Sequence, residues 1–439
     1  MSHTPENTAA PKERAVVATL ILPDSESGRA EDPLAEISGL VEAAGACVVA
    51  GVTQRLQKPH PRTAFGRGKV EEIGALVKEA RADLVVVDFD LSPGQVRNLE
   101  KDLDTRLVDR TELILDIFAS RARTRQAKLQ VELAQAEYMR PRLKRMWTHL
   151  ERTEGAIGTR GPGETQLETD RRLVNRKIAD LKVRLREIEA RSRRQAESRT
   201  ETNTVSLVGY TNAGKSSLMQ ALTGAEVYIA DQLFATLDTR VRRWDLPGGR
   251  DVLLADTVGF VRDLPHHLVA SFHATLEETL HADLLLHVCD ATDPDLEVHL
   301  RAVEEVLGGL GGAEIPSLQV LNKVDRLPPL DRELLARRFP DGVFVSATTG
   351  AGLDELRAAV GAVLDSWSLR LDLVVPASAG RLMAEIRRHS RIEEDRFEGA
   401  DWLARVQILP KNWTPLRIEL ERSGGRFAVA GQRGGSGAG

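Results

Sequence analysis

Residues 209–216 read Gly-Tyr-Thr-Asn-Ala-Gly-Lys-Ser and lie between two stretches of different habit. Before them, residues 204–208 form a short apolar run with β-branched members, which predicts a buried strand. After them, residues 217–222 have helical composition, and Gly224 stands where a helix would stop. Strand, GxxxxGK[ST] loop and helix, in that order, are the setting in which backbone N–H groups of the loop and of the helix N-terminus converge on a phosphate. Gly209 and Gly214 let the backbone turn and come close to it. On this reading Gly209, Tyr210, Thr211, Asn212, Ala213, Gly214, Lys215, Ser216 and Ser217 cradle a nucleoside triphosphate. Lys215 reaches the β- and γ-phosphates, and the Ser216 hydroxyl binds Mg²⁺.

Four further segments extend the site. Asp256 ends the apolar run 252–255, and a carboxylate at a strand end beside the phosphate loop holds Mg²⁺ directly or through water. Past Thr257 and Val258, Gly259 can bring its N–H to the γ-phosphate with no side chain in the way. Asn322-Lys323-Val-Asp325 follows the run 318–321. The Asp325 carboxylate can accept from N1–H and the 2-amino group of guanine, a donor pair adenine lacks, and a site built on such an acceptor rejects the ligand without the donors. Asn322 is expected to tie this loop to the phosphate loop, and the Lys323 stem to cover the base. Ser346, Ala347 and Thr348 follow the run 343–345 and offer a backbone N–H to guanine O6.

Each segment is weak alone. In this order and spacing, over residues 203–366, they describe every part of a bound Mg–GTP. The segment Phe234-Ala235-Thr236-Leu-Asp238 would supply the remaining switch contact, with a threonine hydroxyl on the metal and its N–H on the γ-phosphate, ordered only in the triphosphate state. Spacing leaves Thr236 and Thr239 both open. Many Ras-like GTPases place a water-orienting Gln directly after the DxxG glycine, and here that residue is Phe260. A phenyl ring cannot position water, so intrinsic hydrolysis is expected to be slow and to depend on a partner or on a monovalent cation. Asn212 stands where K⁺-activated GTPases carry an Asn beside the phosphates, a likeness that implies K⁺ as a second cofactor.

The 439-residue chain is long enough for about three domains and carries 42% hydrophobic residues, ordinary for packed cores. Its two cysteines, Cys47 and Cys289, both lie in apolar strand-like runs and read as reduced core residues of a cytoplasmic protein. No apolar stretch is long enough to span a membrane. Residues 1–14 are polar, without the core of a signal peptide, and read as a disordered tail. A monomer is expected.

The net charge of −5 is unevenly spread. Residues 121–199 hold 21 of the 60 basic and 11 of the 65 acidic residues, a net +10 against −15 elsewhere. Such a segment is a footprint for a polyanion. Its two helix-forming stretches, 121–150 and 164–199, flank a glycine-rich loop and predict an antiparallel hairpin, with Leu167, Val174, Ile178, Leu181, Leu185 and Ile188 at helical spacing. Arg140, Arg142, Lys144, Arg145, Arg171, Arg172 and Lys177 cluster toward the loop, and Arg160 lies within it, as RNA phosphate binding would need. Residues 15–120 alternate strand- and helix-like runs, predicting a small α/β domain. There Gly66-Arg67-Gly68-Lys69 lacks full phosphate-loop spacing and reads as a turn before a helix. Residues 368–430 read as a small α+β domain, with a strand near 369–375, a helix over 380–389 and apolar runs at 402–409 and 416–420.

Several stretches now coincide. Ser92-Pro-Gly-Gln-Val-Arg-Asn-Leu99, residues 109–118 (Asp-Arg-Thr-Glu-Leu-Ile-Leu-Asp-Ile-Phe), residues 127–134 (Ala-Lys-Leu-Gln-Val-Glu-Leu-Ala) and residues 161–172 (Gly-Pro-Gly-Glu-Thr-Gln-Leu-Glu-Thr-Asp-Arg-Arg), with Phe234-Ala-Thr-Leu-Asp238, closely resemble the HflX family of translational GTPases. The resemblance covers about residues 15–366. It implies a Ras-like G domain preceded by an α/β domain and the hairpin. It implies a protein that binds the large ribosomal subunit and its rRNA, splits or rescues stalled ribosomes, and hydrolyses GTP to GDP for release. It favours Thr236 over Thr239, so Lys215, Thr236 and Gly259 become the expected catalytic groups, and Ser216, Thr236 and Asp256 the metal ligands. Two departures stand out: Thr239 and Arg240 replace the usual Pro and Thr, and Ala156 replaces a loop glycine. A GTP-dependent ribosome-assembly or RNA-modification factor is the alternative reading.

Overall fold

Strands of a parallel sheet covered by helices are apolar on both faces. The first strand, β1 (Arg14–Ile21), buries six consecutive residues, and β3 (Leu84–Val87) buries all four. With β2 (Cys47–Arg55) and β4 (Arg106–Asp109) they form an all-parallel sheet of order β2-β1-β3-β4. The computed structural model describes residues 12–23, 30–143, 162–197, 203–224, 233–234, 240–247, 250–261 and 279–429. Alternate residues of β1 serve opposite faces. Val16 and Ala18 pack under α2 (Arg67–Glu79) and α3 (Pro93–Leu103), whereas Ala15 and Val17 pack under α1 (Ala35–Ala43) and α4 (Arg110–Arg121). Helix α3 starts on a capping box in which Ser92 and Gln95 satisfy each other's backbone N–H, with Pro93 in the first turn. The Gly66-Arg67-Gly68-Lys69 segment is the start of α2, with Gly66 as its N-cap.

The basic segment forms α5 (Arg125–Met139) and α6 (Pro162–Glu197), joined by a chain whose residues 144–161, with the expected tip and Arg160, lie outside the described residues. Leu129, Leu133 and Ala136 of α5 meet Ile178, Leu181 and Leu185 of α6 along an apolar seam. Ion pairs flank it at 2.7 Å, Lys177 with Glu132 and Lys182 with Glu137. In heptad terms these join g to g and e to e, the pairing of antiparallel helices. Arg171, Arg176, Arg184 and Arg186 of α6 are exposed.

A second sheet runs β10-β9-β8-β5-β7-β6. Its members are β5 (Asn203–Val208), β6 (Arg240–Leu246), β7 (Arg250–Asp256), β8 (Leu284–Asp290), β9 (Ser317–Asn322) and β10 (Val343–Phe344). All pairs are parallel except β6 with β7. The helices α7 (Lys215–Thr223), α8 (Leu296–Gly309), α9 (Pro329–Arg338) and α10 (Leu353–Ser366) connect or follow its strands. The chain builds outward from β5 in both directions, so the carboxyl end of β5 is the switch point at which such sheets bind ligands.

The last sheet is antiparallel, of order β12-β13-β11-β14, from the succession β11 (Leu369–Pro376), α11 (Gly380–His389), β12 (Ser390–Glu398), β13 (Asp401–Ile408), α12 (Pro410–Arg422) and β14 (Arg426–Val429). That is a ferredoxin-like βαββαβ arrangement. The run 416–420 lies inside α12, and β12 was not expected, because an exposed edge strand reading Ser-Arg-Ile-Glu-Glu-Asp-Arg-Phe-Glu carries no apolar alternation. Cys289 is buried as expected, but Cys47 is exposed, because β2 is an edge strand with only partial cover; neither forms a disulfide. No helix among the described residues is long and apolar enough to cross a membrane.

One apolar core joins the first two sheets and the hairpin. It holds Ile37 and Leu40 of α1, Ile114 and Phe118 of α4, Val131 and Tyr138 of α5, and Tyr210, Phe234, Val258, Phe260 and Leu285 around β5 and β8.

Candidate functional site

The phosphate loop leaves β5 at Val208 and enters α7 at Lys215. Its glycines are spaces filled by neighbours. Gly209 has φ +150°, and a Cβ there would lie 2.1 Å from the Val288 carbonyl oxygen. Gly214 has φ +91°, and its Cβ would lie 2.3 Å from Asn322 Nδ2. Asn212 also takes a left-handed conformation, φ +61°, on the exposed crest of the loop. The loop is stitched to the strand end that follows β7: Thr211 N–H donates to Phe260 O at 2.7 Å, and Phe260 N–H to Gly209 O at 3.2 Å. A Cβ on Gly259 would come within 2.9 Å of Thr211 and 3.1 Å of Lys215 Nζ, so the glycine lets these two segments close.

Lys215 is 6% exposed and donates from Nζ to the carbonyls of Gly209 (2.9 Å) and Tyr210 (2.8 Å). Burial pushes its ammonium down to about 8, against the opposing pull of Asp256. Burial, with the Lys215 charge, pushes His287 of β8 down to about 4. An anion reaching Lys215 therefore meets a cation stripped of water and held by two weak acceptors, which is where electrostatic attraction is strongest. Ser216 Oγ donates to Asp256 Oδ2 at 2.7 Å, and Asp256 is fully buried. A hydroxyl and a carboxylate in contact form a hard-oxygen donor pair, so Ser216 and Asp256 would suit Mg²⁺. When bound there, Mg²⁺ would offset charge on the phosphate oxygens. Ser217 lies on the first turn of α7, and Thr257 Oγ1 ties the end of β7 to Leu207 O at 2.7 Å.

Asn322 is 1% exposed and joins three loops. Its Nδ2 donates to Ala213 O at 3.0 Å, and its Oδ1 accepts from Ala347 N–H at 3.0 Å. Lys323, with φ +66°, donates to Asp290 Oδ2 at 2.6 Å. Asp325 Oδ1 accepts from Ser346 Oγ at 2.6 Å, which aims the carboxylate, while Thr348 is exposed beside it. The structure thus gathers residues 209–217, 256–259, 322–325 and 346–348 at one end of the sheet. Phe234 sits apart from them: it is 2% exposed, with its ring edge-on to Phe118 of α4 at 4.6 Å. Ala235 and Thr236 lie outside the described residues.

Sequence reading missed several neighbours. Asp290 ends β8 as Asp256 ends β7, a signal that was available. His299 carries none: its ring stacks on Tyr210 at 3.7 Å, and its Nδ1 lies 2.6 Å from Asp293 Oδ2. Phe260 lacks a water-orienting amide, but it has a structural place: its ring is 2% exposed, within the core shared with α4 and Phe234.

Comparison with known proteins matches residues 31–119 to a family described as GTP-binding GTPase N-terminal, 121–199 to GTP-binding GTPase Middle Region, and 204–323 to 50S ribosome-binding GTPase. GTPase HflX of Escherichia coli (strain K12) is 48% identical over 373 residues, covering 84% of this chain and 87% of that protein. GTPase HflX of Magnetococcus marinus is 46% identical over 422 residues, covering 94% and 96%. A solved structure of SsGBP in complex with GDP is 24% identical, with TM-score 0.45, and covers 80% of this chain and 98% of that one. With identity at this level over nearly the full length of such relatives, and with a phosphate loop and a guanine-type acceptor loop at one sheet end, the chain belongs to the HflX family of GTPases, binds GTP and hydrolyses it.

Proposed function

We propose that the chain binds the large ribosomal subunit in its GTP state, splits or rescues stalled ribosomes with its helical hairpin, and is released by hydrolysis. The observation that carries this reading is the common core: Val131 and Tyr138 at the hairpin root share one apolar cluster with Tyr210 of the phosphate loop, with Phe260 next to Gly259, and with Phe234. A change in nucleotide state at those residues is thereby felt at the root of the cationic helices. The exposed arginines of α6 suit an RNA backbone. The description of the family matched by residues 204–323 points the same way.

In this reading the working units are residues 15–120, 121–199, 203–366 and 368–430. Lys215 and the Gly259 N–H stabilise charge on the transferring phosphoryl group, with Thr236 closing over it. Ser216, Asp256 and Thr236 hold the metal, and Asp325 selects guanine. With Phe260 committed to the core, turnover depends on ribosome contact and on K⁺ beside Asn212.

The test is co-sedimentation with purified large subunits, using a non-hydrolysable GTP analogue against GDP at two salt concentrations. Pelleting with the analogue, weakened by salt, and faster GTP turnover with subunits are expected. No pelleting and no stimulation would overturn the ribosomal role while leaving the GTPase intact. Deleting residues 151–163 should abolish subunit splitting and spare basal turnover. Equal turnover in K⁺ and Na⁺ would remove the potassium reading.

A further inference from the structure

The phosphate loop is held from outside its own sheet. Tyr210, its second residue, is 8% exposed, and its hydroxyl donates to Glu36 Oε2 on α1. Glu36 Oε1 accepts from Arg110, at the start of α4, and the other arm of Arg110 donates to Asp88 at the end of β3. Thr19 of β1 donates its hydroxyl to Asp88 Oδ2 at 3.1 Å. The side chains of Glu36, Arg110 and Asp88 are 8%, 3% and 1% exposed.

Two buried carboxylates around one guanidinium leave an excess negative charge, which hydroxyl donors must solvate. Tyr210 and Thr19 are two such donors. Any movement of the phosphate loop that withdraws Tyr210 therefore takes a donor from a buried carboxylate. The same residue governs the phosphate site, because its carbonyl accepts from Lys215 Nζ at 2.8 Å. Its ring is stacked on His299, with centroids 3.7 Å apart.

We propose that Glu36, backed by Arg110, is a positioning residue for nucleotide binding: it fixes the phosphate loop through the Tyr210 hydroxyl and so links the nucleotide site to the amino-terminal sheet on which the hairpin is rooted. The proposal rests on the phosphate-loop assignment above, and it stands whether or not the ribosomal role does. Coupling is reciprocal, so a nucleotide that fixes the loop also steadies α1.

The test uses the full-length chain. Tyr210→Phe keeps the ring over His299 and deletes only the donor; Glu36→Gln and the double variant complete a cycle. Release of a fluorescent GDP, followed by stopped flow, is expected to quicken about 10-fold in Tyr210→Phe, the scale of a lost hydrogen bond to a charged group. The double variant should be no faster than the faster single one. Backbone hydrogen exchange in α1 should slow when GDP binds the wild type, and this slowing should vanish in Tyr210→Phe, which a purely structural role would not cause. If Glu36→Gln does not fold, Tyr210→Phe still decides. Release from Tyr210→Phe within about twofold of wild type, or unchanged nucleotide-dependent slowing in α1, would overturn the tether alone. A wild type that ignores fluorescent GDP would overturn the loop assignment with it.

Discussion

Replacing Asn322 tests whether the three nucleotide loops are held as one unit. Its amide makes two buried hydrogen bonds of 3.0 Å, one to the phosphate loop at Ala213 and one to the guanine-side loop at Ala347. Asn322→Ala leaves a carbonyl and an N–H without these partners in a site 1% exposed. Each orphaned group costs about 1–3 kcal/mol, and partial hydration of the new space brings the pair to about 2–4 kcal/mol. Both groups belong to ligand-bearing loops, so much of this should appear as lost nucleotide affinity, about 10- to 100-fold for GDP. Asn322→Asp is the sharper variant. It keeps the acceptor for Ala347 N–H, but it faces a carboxylate against the Ala213 carbonyl and adds negative charge beside the phosphates. The expected order of GDP affinity is wild type, then Asn322→Ala, then Asn322→Asp. Fluorescent-GDP titration measures it, and urea denaturation with and without excess GDP separates binding from folding, since bound ligand adds stability that grows with the logarithm of its concentration over Kd. An Asn322→Ala protein within about threefold of wild-type affinity, or an Asn322→Asp protein binding better than Asn322→Ala, would refute the argument.

Asp325→Asn should weaken GTP binding and favour xanthosine triphosphate, whose 2-oxo group can accept from the new amide; competition titration reads this, and unchanged guanine preference would count against the acceptor role. Phe260→Gln places an amide in an apolar core and should lower stability by about 2–4 kcal/mol without raising GTP turnover; an accelerated single-turnover rate would show the ring to be only an obstacle. Arg142 donates to Asp109 Oδ2 at 2.9 Å and to Leu91 O at 3.0 Å at the hairpin root. Burial raises the Asp109 carboxyl, while the Glu112 N–H and Arg142 partly restrain it. A raised carboxyl gives stability that is full below its unfolded value and lost as pH rises through its folded value, so Arg142→Met, which raises it further, deepens that loss. The variant should be destabilised by about 2 kcal/mol at neutral pH and by less near about pH 5; denaturation curves at both check the sign.

The loops that gather at the sheet end were legible because the chemistry expected of them is local. A glycine that must make room, a lysine after it, and an Asp or Asn at a strand end are needed in the segment that touches the ligand, and Gly209, Gly214, Lys215, Asp256 and Asn322 are gathered at one sheet end. Core strands were legible for a related reason: β3 is apolar on both faces, and only a covered sheet tolerates that. Strand β12 was missed because its side chains answer to water and to partners across the strand, such as Arg370 with Glu393 at 2.8 Å, rather than to a core. Cys47 was misplaced because an edge strand and a central one carry similar residues, and the sheet order that distinguishes them is not local.

Contacts between layers form the extreme case. Glu36 and Tyr210 are 174 positions apart, and nothing in either neighbourhood announces the other. Phe234 and Phe260 read as a loop aromatic and as a missing catalytic amide until the core they share with Phe118 is seen. Yet these residues form the contacts between the phosphate loop and the layers beside it. A G domain whose switch segments faced only water would spend the energy of its triphosphate contacts on ordering those segments. Here Phe234 is already seated against Phe118 of α4, in the core that also holds Phe260, so reordering it must either break that seat or carry α4 along. Helix α4 packs on α5, the root of the hairpin, so the second course turns a change at the γ-phosphate into a displacement of the basic helices. Phe118→Ala should separate the two courses. The lost edge-on partner would loosen Phe234, leaving nucleotide affinity largely in place while hydrogen exchange in α5 no longer distinguishes GTP from GDP. Persisting discrimination in α5 would mean that the signal travels by another path.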